Sequence, residues 1–221
     1  FLREKGCTVI GNIYGSSPED YAALAARLEA EDAAHAIEAN LSCPNVHDAR
    51  NARGCTLVAQ DPVLVTEYTK AIRAATKLPL IIKLTPNIID IAEPALAAQE
   101  AGADAVALIN TLLGMGIDAE TRKPILSNIV GGLSGPAIRP VAVKMVWDAA
   151  KALDIPILGM GGITNAADAL QFILAGATAV AVGSYVFRQP DAPMRVIEGL
   201  EDYCERHGVA KITELIGAME V

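Results

Sequence analysis

The chain has 221 residues, 52% of them hydrophobic, with mean hydropathy +0.34, so it can bury a large core and fits one domain spanning residues 1–221. A net charge of −8 argues against nucleic acid or an anionic membrane surface as partner, since both reward a basic face. No apolar run approaches the ~20 residues that span a bilayer, and the first residues lack the basic, apolar, small-residue order of a signal peptide, so a cytoplasmic protein is expected. Cys7, Cys43, Cys55 and Cys204 are scattered, with no C-x-x-C and no nearby His pair, which signals neither a metal site nor a disulfide framework.

In chain order, Cys7 to Tyr14 reads as a strand closed by Gly15-Ser16-Ser17. Ser17 caps a helix with Pro18 at its first position, Glu19 and Asp20 in its first turn, and Tyr21, Leu24 and Leu28 on one face. Ala33 to Ile37 leads into a second strand that Pro44 ends by removing a backbone donor. After a long polar loop, Asp61-Pro62 opens a helix carrying Val65, Tyr68 and Ile72, and Leu80 to Leu84 is a third strand stopped by Thr85-Pro86-Asn87. A helix from Ile91 to Ala101 ends at Gly102 before a strand over Ala105 to Thr111. The segment from Leu112 to Gly135 reads as a glycine-bearing loop, followed by a helix from about Ala137 to Leu153. Ile155 to Ile163 is the next strand and turn, Thr164 caps a helix ending at Gly176, and Ala179 to Ser184 is the last strand. Ala101 to Val106 and Ala175 to Val180 are near copies, which marks a repeated helix-to-strand junction.

Six short apolar strands alternating with amphipathic helices predict an α/β fold with a parallel sheet. The strands lack the polar alternation of a half-wet sheet, so both faces should be buried. No G-x-G-x-x-G follows the first strand, which favours a (β/α)8 TIM barrel over an open doubly wound sheet. Eight units close such a barrel and six are visible, so two more are expected to precede Phe1.

Two stretches carry candidate chemistry. Glu38-Ala39-Asn40-Leu41-Ser42-Cys43-Pro44-Asn45 gathers two amides and a thiol at the C-terminal end of a strand, where parallel β/α proteins bind ligands; a plain Asn/Ser/Pro turn with a buried Cys is the alternative. Gly161-Gly162 and Gly183-Ser184 follow two successive strands, as in the barrel phosphate site where bare backbone amides and a helix N-terminus face the anion; each pair alone could be a tight turn.

Five ordered motifs add specificity: Asn-Leu-Ser-Cys-Pro-Asn at 40–45, Ile-Lys-Leu-Thr-Pro-Asn at 82–87, Leu-Ile-Asn-Thr-Leu at 108–112, Gly-Gly-Leu-Ser-Gly-Pro-Ala-Ile-Arg-Pro at 131–140 and Gly-Met-Gly-Gly-Ile at 159–163. In order and setting they resemble dihydroorotate dehydrogenases, over nearly the whole chain. Gly116 to Pro124 resembles the NAD-linked, heteromeric branch. The resemblance implies an FMN flavoprotein that oxidises dihydroorotate to orotate for pyrimidine biosynthesis, a base taking the C5 proton while a hydride leaves C6 for the flavin. Residue by residue it implies Cys43 as that base, and Asn40, Asn45, Asn110 and Thr111 as substrate ligands. It places Lys83 beside the flavin edge that gains negative charge on reduction, Asn12, Asn40, Ile109 and Gly135 against the flavin body, and Gly161, Gly162, Gly183 and Ser184 at its phosphate. The implied partners are a second copy, in a homodimer, and an electron-transfer subunit carrying FAD and a 2Fe-2S cluster.

The sequence departs from the family in loop 46–60, which lacks the usual paired glycines and contains Cys55. The related dihydropyrimidine dehydrogenases place their catalytic Cys in this loop, at a position that aligns better with Val58. A dihydropyrimidine or dihydrouracil dehydrogenase is therefore the alternative enzyme, with Asn45 in place of His speaking against it, and a non-catalytic flavin- or phosphate-binding barrel is the alternative outside enzymes.

Overall fold

The computed structural model describes residues 2–42 and 58–220. Its strands are β1 (Ile10–Ile13), β2 (Ala36–Asn40), β3 (Leu80–Lys83), β4 (Ala105–Leu108), β5 (Leu112–Met115), β6 (Ile117–Asp118), β7 (Lys123–Pro124), β8 (Val130–Leu133), β9 (Ile157–Met160) and β10 (Ala179–Ala181). Its α-helices are α1 (Pro18–Ala30), α2 (Pro62–Ala75), α3 (Ala92–Glu100), α4 (Arg139–Ala150), α5 (Ala166–Leu174) and α6 (Ala192–His207). Six strands form one parallel sheet in the order β1-β2-β3-β4-β9-β10, each joined to the next through a helix, as the βα alternation requires. This is the sheet of a partial (β/α) barrel.

Helix boundaries follow local chemistry. The Ser17 side chain accepts from Asp20 N at 3.2 Å, and the Asp61 side chain accepts from Val63 N at 2.9 Å, each ahead of a Pro at the first position. The repeated junction is one backbone motif used twice: Gly102 and Gly176 take φ of +99° and +118°, while Ala103 N reaches back to Ala98 O and Ala177 N to Phe172 O. Thr164 is not the cap of α5. Asn165 is, accepting from Asp168 N at 3.0 Å, because the Thr164 hydroxyl is committed to Asp168 Oδ2 at 2.7 Å.

Burial alternates with a period of two along β3 and β9. Ile37, Ala39, Leu80, Ile82, Val106 and Leu108 are fully buried against the helices, in one core with Tyr68, Ile72, Val146 and Phe172. On the opposite, concave face Asn40, Ile81, Lys83, Leu158 and Met160 are half-buried and Asn12 is exposed. The expectation that both faces are buried holds for the helix-covered face and only in part for the concave one, where Glu38 and Ala107 are buried but the residues named above are not; β1 and β10 are the edges of an open sheet.

Three further expectations change. Strand β2 ends at Asn40, before Pro44, because Asn40 Oδ1 accepts from Ser42 N and turns the chain locally. The buried face of α1 is Pro18, Tyr21 and Ala25, with Leu24 exposed. The stretch expected as a loop over 112–135 contains two antiparallel ribbons, β5 with β8, where Gly114, Gly131 and Gly132 mask the strand pattern, and β6 with β7, of two residues each. Beyond Ser184, α6 packs on α5.

Candidate active site at the strand C-termini

A cavity of about 610 Å³ opens where β3, β4, β9 and β10 end, and the segment 134–138 forms one of its walls. Nine residues singled out by sequence line it: Lys83, Ile109, Asn110, Thr111, Gly135, Gly161, Gly162, Gly183 and Ser184. Ser134, Thr164, Tyr185, Phe187 and Arg188 line it too, without having been anticipated. Of these, Tyr185 to Arg188 had a weak signal, since they directly follow the Gly183-Ser184 turn.

One end is built from backbone. Gly162 takes φ +76°, and a Cβ there would lie 2.6 Å from Gly135 O and 2.9 Å from Pro136 Cα, so the turn after β9 and the segment before α4 touch main chain to main chain. Among the described residues neither Gly162 N–H nor Ile163 N–H has a hydrogen-bond partner, although both residues line the cavity. Asp168 braces this turn from the first turn of α5, its Oδ2 accepting from Thr164 N at 3.0 Å. At Gly183, by contrast, a Cβ would meet nothing within 4 Å. Free donors converging on concave, side-chain-free backbone are suited to an anion.

The other end is built from side chains. Asn110 Nδ2 donates to Asn40 Oδ1 at 3.1 Å and to Ser42 Oγ at 2.8 Å, and Asn110 Oδ1 accepts from Thr111 N at 2.7 Å. Ser42 is fully buried. The cluster is held from three sides: Tyr21 Oη donates to Asn40 O at 2.6 Å, Asn110 N donates to Leu84 O at 3.1 Å, and Asn87 Nδ2 donates to Thr111 O at 3.1 Å. Asn40 thus stands next to the cavity through Asn110 rather than in its lining. Lys83 lines the cavity, its Nζ in an ion pair 3.5 Å from Glu38 Oε1, and Glu38 accepts a hydrogen bond from Asn12 Nδ2. Asn12 is two contacts from the cavity and does not line it. Amides that both donate and accept, beside a cation, are suited to a planar polar ring carrying negative charge.

Cys43, Asn45 and Cys55 lie outside the described residues. Val58 is described, in a 3-10 turn over Val58–Gln60, half-buried and packed against the core. Cys7 is exposed and Cys204 half-buried, and neither lines the cavity.

Comparison with known proteins agrees with this geometry. The family model described as dihydroorotate dehydrogenase matches residues 2–204. The chain is 49% identical over 220 residues to the catalytic subunit of dihydroorotate dehydrogenase B (NAD(+)) of Pelobacter propionicus, covering 100% of this chain and 71% of that protein. It is 50% identical over 213 residues to the catalytic subunit of the same name from Bacteroides fragilis, covering 96% and 69%. Among solved structures, DHODH of Eimeria tenella in complex with ferulenol superposes with a TM-score of 0.75 at 24% identity, over 94% of this chain and 60% of that one, which supports the fold. With the family model, the full-length relatives and the barrel in agreement, the chain belongs to the dihydroorotate dehydrogenase family.

Proposed function

We propose that this chain is the catalytic subunit of an FMN-dependent, NAD-linked dihydroorotate dehydrogenase, which oxidises dihydroorotate to orotate in pyrimidine biosynthesis. The observation that carries the reading is the meeting of the nine sequence-chosen residues in one cavity with chemically distinct ends. The residues present fit FMN: unpartnered N–H groups and a glycine cradle suit its phosphate, Ile109 and Met160 offer apolar surface to a flat ring system, and Lys83 suits the ring edge that gains charge. Gly161, Gly162, Gly183 and Ser184 would hold the phosphate, and Lys83, Ile109 and Gly135 the ring, with Asn12 and Asn40 at its periphery. When bound there, FMN supplies the acceptor for the electron pair leaving C6 of the substrate.

The chain's own residues do the rest. Asn40, Asn45, Asn110 and Thr111 hold the pyrimidine by its amide and carboxylate groups, the Asn110 amide exchanging its present partners for the substrate. Cys43 directly follows the buried Ser42 and takes the C5 proton. A thiol starts nearer neutrality than a hydroxyl, which makes it the better base at cellular pH. The Lys83 ammonium stabilises negative charge that develops beside it. No helix among the described residues is long and apolar enough to cross a membrane, and a cytoplasmic homodimer is the proposed state. A separate subunit carrying FAD and a 2Fe-2S cluster would supply the route for the electrons to NAD.

Anaerobic mixing of the FMN-loaded chain with dihydroorotate tests this. The expected result is bleaching of the flavin with one orotate formed per FMN, dye reduction by the chain alone, and NAD reduction only after the partner is added. Bleaching by dihydrouracil in preference to dihydroorotate would replace the substrate assignment, and NAD turnover by the single chain would remove the partner.

A further inference from the structure

Behind the backbone end of the cavity lies an ion pair between Arg139, which belongs to the 131–140 motif but was given no role by it, and Asp168. Arg139 is the first residue of α4 and does not line the cavity. Its Nη1 forms an ion pair with Asp168 Oδ1 at 2.8 Å and donates a hydrogen bond to Gly162 O at 3.2 Å. Asp168 is buried and spends its other oxygen on Thr164 N and Thr164 Oγ1. The arginine is therefore clamped between the turn after β9 and the first turn of the helix behind it.

The pair is not arranged as an ion pair made for its own sake. A guanidinium and a carboxylate usually meet fork to fork through two parallel bonds. Here a single nitrogen, Nη1, is shared between the carboxylate and a main-chain carbonyl, and Arg139 Nε is buried with no partner among the described residues. The hydrogen bond thus goes to the carbonyl, while the contact with Asp168 is ionic. In a trans peptide the C=O of one residue and the N–H of the next point in opposite directions. Pinning Gly162 O towards Arg139 consequently turns Ile163 N–H away from it, to the side where Gly162 and Ile163 line the cavity.

We infer that Arg139, held by Asp168, is the positioning residue of the phosphate subsite: it orients the Gly162–Ile163 peptide so that its N–H faces the anion. It acts through the backbone, without touching the ligand. The inference rests on the proposed phosphate reading of Gly161-Gly162, so the test separates the two.

FMN and riboflavin, which differ by the phosphate alone, are titrated by flavin fluorescence against the 221-residue chain, Arg139→Met, Arg139→Lys and Asp168→Asn. The wild type is expected to prefer FMN. Arg139→Met should weaken FMN about tenfold, the effect of losing one charge-assisted hydrogen bond, with riboflavin unchanged. Arg139→Lys keeps the charge on a shorter side chain with a differently placed head, and Asp168→Asn keeps the shape without the charge; each should lower the preference by about threefold. A wild type that binds both flavins equally overturns the phosphate reading, and the inference with it. An intact preference in both Arg139→Met and Arg139→Lys overturns the inference and leaves the phosphate reading standing. Equal loss of both flavins in Arg139→Met and in Arg139→Lys makes Arg139 a purely structural ion pair and likewise overturns it.

Discussion

The two ends of the cavity solve recognition in opposite ways. At the Gly161-Gly162 end the contacts are main chain, the approach of Gly162 to Gly135 O leaves no room for a side chain, and the donors are fixed by α5 and Arg139. At the Asn110 end the contacts are side chains whose polar atoms are already bonded to one another, through Asn40, Ser42 and Thr111. A backbone site is stiff and reads charge. A side-chain site must give up internal hydrogen bonds to take a ligand, so it can read the pattern of donors and acceptors on a ring that comes and goes. The first suits a resident cofactor and the second a substrate.

Each end of the cavity can be disabled separately. The largest effect is expected at the side-chain end: Cys43→Ala should keep FMN but slow flavin reduction by dihydroorotate about 10²–10⁴-fold at neutral pH, in anaerobic stopped-flow. Cys43→Ser should retain slow reduction that rises with pH, since a hydroxyl is harder to deprotonate. A slow Cys55→Ala beside a normal Cys43→Ala would move the base to Cys55. At the backbone end, Gly162→Asp should abolish FMN retention, but strain and charge act together there because φ is +76° and any Cβ meets backbone. Gly183 separates them: with nothing within 4 Å of its Cβ position, Gly183→Ala should leave FMN affinity within about threefold, whereas Gly183→Asp should weaken it about tenfold or more by repulsion in a partly screened site. Affinities from equilibrium dialysis check both.

Smaller effects sharpen the contrast. Asn110→Ala should raise KM for dihydroorotate about tenfold through two lost hydrogen bonds while FMN affinity stays within about twofold. Ser42→Ala removes a buried hydroxyl shared by Asn40 and Asn110 and should cost about 1 kcal/mol, a Tm decrease of ~2–4 °C by calorimetry. An equal loss of FMN and substrate binding in Asn110→Ala would mean the two ends are one site.

The sheet strands were readable because each is a short apolar run between strong punctuation, such as Pro79 before β3 and Gly102 before β4. The ribbons over 112–133 were not, since Gly114, Gly131 and Gly132 weaken strand propensity and their pairing is set by long-range register, Gly114 opposite Gly131. The half-open concave face was also hidden, because Ile81 and Leu158 on it are as apolar as the residues under the helices. Within the site, the motifs marked residues at the ligand surface and also contained Arg139, but its action with Asp168 from behind, through Gly162 O, depends on long-range packing that no sequence spacing betrays. Lys83 was legible as a cation at the end of a buried strand, but its pairing with Glu38 depends on β2 lying beside β3.

The division of labour between the two ends is tested most directly by crystals of the chain grown with FMN and orotate. The FMN phosphate is expected within hydrogen-bond distance of the Gly162 and Ile163 N–H groups, and orotate on the Asn110 amide with the Asn110 to Ser42 hydrogen bond exchanged for one to the ligand. A phosphate bound away from Gly162, or orotate seated with the asparagine cluster unchanged and untouched, would contradict it.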